Sequence, residues 1–329
     1  MATMRDVAEK AGVSIATVSA VLNKSAYVSP ELAKRVNDAV ADLDYTINQV
    51  AHSLQTRSTR TIGMLIPDVA SPDPFFGQVV RGAEDALRKK GYLLFLGHTY
   101  NQLAEQSRYL AAFRARLVDG LLLFQAPGED PELDRLLNGR KPVVFVGRIP
   151  KGIEADVVAT DIKLGTQMAL RHIFQQGHKK IGLLTVAASL SVAEFRIDAW
   201  RTELRKRNLV PDERYLASID LSFEAGARAA ADLMRLPNPP TALFADNLMV
   251  GAGAIRGVRD TGYRVPKDVL IVSSDDADWL DAFQPALTTI IQPSYELGLQ
   301  AAELLLKRVR HPKRPYEKVL LKPELLVRA

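Results

Sequence analysis

The sequence predicts an N-terminal all-α helix-turn-helix domain followed by an α/β core of two doubly wound parallel-sheet lobes. Three observations carry this. Residues 1–47 hold helix signals and no strand. From Thr61 onward short apolar runs alternate with amphipathic helical stretches: Ile62–Ile66, Leu93–Leu96, Gly120–Phe124, Val143–Val146, Ile181–Leu184, Ala242–Ala245 and Val269–Val272, with stretches such as 78–90, 164–176 and 192–208 between them. Continuous apolar strands separated by helices imply parallel sheets buried on both faces. So many units exceed one small sheet, hence two lobes.

In the first element, Thr3-Met4-Arg5-Asp6 has the form of a capping box, with Thr3 capping the helix and Asp6 answering its free backbone donors. Gly12 suits the turn that ends it. Ser14 then caps a second helix whose Val18, Val21 and Leu22 fall on one face. Two short helices joined at Gly12-Val13 form a helix-turn-helix arrangement. Ser29-Pro30 opens a third helix, with Leu32, Val36, Val40 and Leu43 as its inward stripe. The outward face of the second helix carries Ile15, Ala16, Thr17, Ser19 and Ala20. Any three-helix bundle shows capped helices, so the order and spacing of the pieces matter more than each alone. Residues 48–60 read as a hinge helix and linker: 48–55 is helix-capable but too short to be stable alone, and 56–60 is a polar, basic connector.

Composition narrows the function. The 329 residues include no cysteine, which excludes disulfides, thiolate metal sites and thiol nucleophiles. Five histidines without a close pair make a catalytic zinc site improbable, and no cofactor motif is found. Gly251-Ala252-Gly253 lacks the third glycine of a dinucleotide loop, and neither GxxxxGK[ST] nor GxSxG occurs, so no enzyme is expected. The N-terminus has no apolar h-region and no stretch suits a membrane span, so a cytoplasmic protein is expected. Net charge is +5, yet residues 1–60 carry seven Lys/Arg against six Asp/Glu, so the case for DNA rests on motif geometry.

Over essentially its whole length the chain resembles the lactose-repressor (LacI/GalR) family of bacterial transcription regulators. The resemblance is carried by Asp6-Val7-Ala8, Ala11-Gly12-Val13-Ser14, Ala16-Thr17-Val18-Ser19, Leu22-Asn23, Val28-Ser29, Arg35-Val36, Tyr45, Asn48, Ala51, Ser53-Leu54 and Thr59–Gly63. In the core it continues through Pro74-Phe75-Phe76, Val118-Asp119-Gly120, Gly177-His178, Arg264–Val269, Leu287-Thr288-Thr289 and Gln292-Pro293. It implies a second helix in the major groove of a palindromic operator and a hinge helix in the minor groove, where Leu54 wedges between base pairs. Unstacking a step costs a few kcal/mol, offset by the surface that the bend brings into contact. It further implies that Thr3, Ser14, Thr17, Ser19, Asn23 and Tyr27 contact phosphates, which set register more than sequence. Ile15, Ala16 and Ala20 face bases; Asn48, Ala51, His52, Leu54 and Gln55 form the hinge contacts. Ala20 stands where the family often has Arg, so no bidentate guanine contact is available there, and base reading falls to methyl contacts and DNA shape. His52 replaces the usual Arg, and Ile47 the usual Pro.

The resemblance also implies a periplasmic-binding-protein-like core, its N-lobe about 61–159 and 291–318, its C-lobe about 160–290 and 319–329, with a sugar or sugar derivative bound between the lobes. Phe75 and Phe76 follow the first strand, where open α/β sheets bind ligands, and Asp161, Arg196, Asn247, Asp275 and Gln292 match the family's polar contact positions. Trp279 and Trp200 are candidates for an aromatic face against a sugar ring, with core packing the other reading for Trp200 and Phe76. Gly147, Leu248 and Ser274 depart from the family's frequent Asp, Asp and Phe, and two extra residues lie in 71–74, so a pocket with fewer acids is expected. Helices near 76–90 and 102–116 are the expected dimer contacts of a homodimer. A periplasmic sugar-binding protein would share the core but lack residues 1–60; a nonspecific or ligand-independent DNA binder would not need the core.

Overall fold

The structure, a computed structural model, describes residues 2–23, 26–45, 58–67, 73–186 and 190–328, the side chains of Asn23, Arg116 and Leu117 excepted. They divide into two units, 1–59 and 60–329.

The N-terminal unit contains α1 (Met4–Ala11), α2 (Ile15–Asn23) and α3 (Pro30–Asp42). The capping box forms: the Thr3 hydroxyl accepts from the Asp6 N–H, and Asp6 Oδ2 accepts from the Thr3 N–H at 2.8 Å. Gly12 sits at φ +60°, ending α1, and Arg35 of α3 donates to the carbonyls of Ala11 (2.6 Å) and Gly12 (3.2 Å), which would otherwise lack partners at the helix end. Ser14 accepts from the Thr17 N–H at 3.1 Å, and Ser29 caps α3 before Pro30. Val7, Ala8, Ala11, Val18, Val36 and Ala39 form the buried core of the unit.

The second unit begins with β1 (Thr61–Ile66), α4 (Phe75–Arg88), β2 (Leu93–His98), α5 (Leu103–Ala112), which runs into a π-helical turn, β3 (Gly120–Leu123), α6 (Pro131–Asn138), β4 (Val143–Val146) and β5 (Asp156–Thr160). It continues with α7 (Ile162–Gln175), β6 (Ile181–Thr185), α8 (Ser191–Arg205), β7 (Leu216–Ser218), α9 (Phe223–Met234), β8 (Ala242–Ala245), α10 (Leu248–Asp260) and β9 (Leu270–Ser274). Last come β10 (Thr288–Ile291), α11 (Ser294–Arg310), β11 (Lys318–Leu321) and β12 (Glu324–Leu326). Two six-stranded sheets result, ordered β11-β5-β4-β3-β1-β2 and β12-β10-β9-β8-β6-β7. Among the described residues every pairing is parallel except β10 with β12.

Two sequence readings change. The terminal run 319–327 does not belong to the second lobe as a whole: it breaks at Lys322-Pro323, leaving β11 beside β5 in the first sheet and β12 beside β10 in the second. Proline has no N–H for a ladder, so the chain leaves one sheet there and joins the other. The run Leu93–Leu96 is not buried on both faces, because β2 is an edge strand and exposes Leu93, Phe95 and Leu96. Helix α11 belongs to the first lobe through close backbone contact with α4. A Cβ on Gly82 or Gly298 would lie 1.9 Å from the carbonyl oxygen of Tyr295 or Val79, so both positions require glycine. Arg308 of α11 forms a buried bidentate pair with Asp156 at the head of β5, 2.7 and 3.1 Å.

Candidate effector cleft and DNA-facing helix

In both sheets the carboxyl ends of the parallel strands point into one cavity of about 740 Å3, the place where open α/β sheets bind ligands. Its apolar wall is a triad of edge-to-face rings: Phe75 and Phe76 at the start of α4, and Phe124 after β3, with centroids 5.1–6.3 Å apart. The opposite wall is polar. Arg196, on α8, reaches Asp246 at the end of β8, its Nη1 lying 2.6 Å from Oδ1 with both side chains buried. It also donates to the Asp246 carbonyl at 3.2 Å. Asp246 accepts from the Thr185 hydroxyl (2.6 Å) and the Val186 N–H (3.0 Å), so its charge is fully engaged. Asn247 caps α10, its side-chain oxygen accepting from the Val250 N–H at 2.9 Å, which leaves its amide donors for the cavity it lines.

Asp275 follows β9 at φ +66° and is buried; Gln292, after β10, donates to it at 2.7 Å. Facing it is Asp73, whose Oδ1 accepts from the Phe75 N–H at 3.0 Å and whose buried carboxyl meets that of Asp275. Burial, and then the charge of Asp73, push the Asp275 carboxyl well above the usual carboxylate range. Burial raises Asp73 too, against the pull of its hydrogen bonds. From the first lobe Arg148 donates to Asn101 Oδ1 (2.7 Å) and to the Gln125 carbonyl, and burial lowers its guanidinium to about 10.

Phe75, Phe76, Arg196, Asn247, Asp275 and Gln292 thus come together at one cavity. Three expected residues do not join them. Trp200 lies one turn deeper on α8 than Arg196, fully buried, its indole N–H donating to the Ile181 carbonyl at 3.0 Å, so it is a core residue. Trp279 is 46% exposed on a 3-10 turn, edge-on to Phe283, away from the cavity. Asp161 caps α7 by accepting from the Leu164 N–H at 2.9 Å and borders only a neighbouring void of about 10 Å3. Positions 147 and 248 bring no acid to the cavity, yet Asp73, Asp220, Asp246 and Asp275 all line it. Asp73, Asp246 and Arg148 were not read from the sequence. Each follows a strand or begins a helix, and position after a strand end was the available signal.

In the N-terminal unit Thr3, Ser14, Ile15 and Ala16 are exposed, Thr17, Ser19 and Ala20 half-buried, and Tyr27 is 92% exposed. The Ser14 and Thr17 hydroxyls hydrogen-bond each other at 2.9 Å. The Asn23 side chain and all of Asn48, Ala51, His52, Leu54 and Gln55 lie outside the described residues.

A model of bacterial regulatory proteins of the lacI family matches residues 3–48, and one of the periplasmic binding protein-like domain matches residues 170–329. The HTH-type transcriptional repressor PurR of Aliivibrio salmonicida is 34% identical over 332 residues, covering 100% of this chain and 98% of its own. This chain belongs to the LacI family. The ribose operon repressor of Haemophilus influenzae is likewise 34% identical, over 334 residues, with 100% and 98% covered. The solved Lac repressor dimer bound to operator and the anti-inducer ONPF is similar at a TM-score of 0.87 and 25% identity, covering 99% of this chain and 98% of that one. As a LacI-family protein the chain is a DNA-binding transcription regulator, with a helix-turn-helix domain ahead of a two-lobed core.

Proposed function

We propose that the chain is a homodimeric, non-enzymatic repressor whose hold on a palindromic operator is set by a sugar-like molecule bound between the lobes. The observation that carries this is the two-faced cleft: three phenyl rings on one side, guanidinium, carboxyl and amide groups on the other. Paired charged hydrogen bonds suit vicinal hydroxyls, while an aromatic wall suits the C–H face of a ring. An occupant that binds one lobe arrangement better shifts the dimer toward it, and linkage carries that preference to the DNA-binding domains.

For the dimer, support comes from β2: an edge strand that exposes Leu93 and Phe95 together on one face is an unusual surface for a lone chain. It adjoins the expected helices 76–90 and 102–116. On DNA, α2 presents Ile15 and Ala16 to base edges and its hydroxyls to phosphates, with Leu54 as the minor-groove wedge. No described helix is long and apolar enough to cross a membrane, and an operator as partner supports a cytoplasmic location.

The test is a thermal-shift screen of sugars, sugar phosphates, sugar acids and nucleosides, since a ligand of the native state raises the melting temperature. Operator binding by fluorescence anisotropy follows, using duplexes selected from a random pool, with and without each hit. A hit that moves the melting temperature and changes operator affinity supports the reading. A flat affinity profile across scrambled duplexes favours a nonspecific DNA binder instead.

A further inference from the structure

Asp73 and Asp275 come from different lobes. Asp73 lies between β1 and α4 of the first, Asp275 at the end of β9 in the second, and only 5% and 7% of their surfaces are exposed. Both line the same cavity, where their carboxyls face each other across the cleft. Two ionised carboxylates have acceptors and no donor, so the pair can hydrogen-bond only while one of them holds a proton. Without that proton two like charges face each other in a buried site.

We propose that Asp73 and Asp275 form a latch between the lobes, fastened while one of the two carboxyls carries a proton and released when both are ionised.

The neighbouring groups fit this. Arg196, whose charge acts on Asp275, is already paired with Asp246. Gln292 donates to Asp275 but brings no charge. Asp246 adds a further negative charge to the surroundings of Asp275. The remaining ionisable groups of the cavity are Asp220, His98, Tyr100 and Arg148; His98 is stacked on Tyr100, and Arg148 is held by Asn101 and Gln125 of its own lobe. No unpaired cation therefore takes the place of the proton among the described residues at the pair. When the lobes part, both carboxyls meet water and ionise in their ordinary range, so the closed arrangement binds more protons than the open one. Rising pH then drives the core open. The latch requires the two-lobed cleft and no particular effector.

The substitution Asp73→Asn replaces the shared proton with a permanent amide donor toward Asp275, keeping an oxygen to accept from Phe75. The experiment is small-angle X-ray scattering of the full chain without effector at pH 5.5 and 8, with thermal unfolding across the same range. In the wild-type chain the radius of gyration should rise with pH; in Asp73→Asn it should stay at its low-pH value. The variant should melt higher than wild type at pH 8, with the gap closing toward pH 5.5. Asp275→Asn should flatten both profiles in the same way, a check that does not depend on Asp73 alone. Parallel profiles in wild type and either variant would overturn the latch. A blank effector screen beside divergent profiles would count against the sugar reading and leave the latch standing.

Discussion

Replacing Arg196 with alanine separates the structural from the ligand-binding work of the cleft. Arg196 Nη1 lies 2.6 Å from Asp246 Oδ1, with 3% and 6% of the side chains exposed. Truncation leaves a buried carboxylate with the Thr185 hydroxyl and the Val186 N–H as donors. Breaking a buried ion pair from one side costs about 3–5 kcal/mol. The two remaining donors, and water admitted from the adjoining cavity, hold the loss near the lower end. At about 2–4 °C per kcal/mol for a unit of this size, the melting temperature of the core should fall by roughly 6–12 °C. Thermal unfolding at pH 7 measures this, and adding Asp246→Asn and the double variant gives the coupling between the pair. A loss under about 1 kcal/mol, or two additive single effects, would refute the description of a desolvated pair. Below its melting temperature the variant should still bind operator but no longer respond to effector. An unchanged response would mean that Arg196 is structural only.

Three further outcomes are expected. Phe95→Asp, on the open face of β2, should leave each chain folded but abolish the dimer in sedimentation, lowering operator affinity by about 10²-fold or more as bivalency is lost; a dimer of unchanged stability would place the interface elsewhere. Leu54→Ala should weaken selected operators about tenfold while barely affecting unrelated duplexes at matched salt, and equal losses on both would remove the wedge. Asp268 is held at about 2 by the side chain and then the backbone N–H of Arg264. Its native value is depressed, so its contribution is present above about pH 3.9 and lost as pH falls toward 2. Asp268→Asn should flatten the acid limb of the stability profile between those values, and an unchanged limb would show the pair to be idle.

Much of the fold was legible because buried parallel strands are spelled as unbroken apolar runs. The strands that escaped are those whose burial depends on distant partners. β5 opens with Asp156, a charge acceptable in the core only because Arg308, far along the chain, neutralises it. β10 begins Thr288-Thr289, buried with polar side chains. The cleft was legible in its rings and in Arg196 and Asp275, but depth was not. Trp200 and Arg196 share a helix face, and which one reaches the cavity depends on where α8 rests against β6. Asp73 was invisible as a partner of Asp275 because their contact spans two lobes and some two hundred residues of chain.

Both sheets are finished by strands from the same short segment, with β11 laid against β5 and then β12 against β10. During synthesis, then, each lobe waits with an open flank until residues 318–326 have left the ribosome. A nascent chain that has already displayed its helix-turn-helix still lacks a finished cleft. Premature termination upstream of β11 should therefore yield a polypeptide with two unpaired strand flanks, prone to association through them.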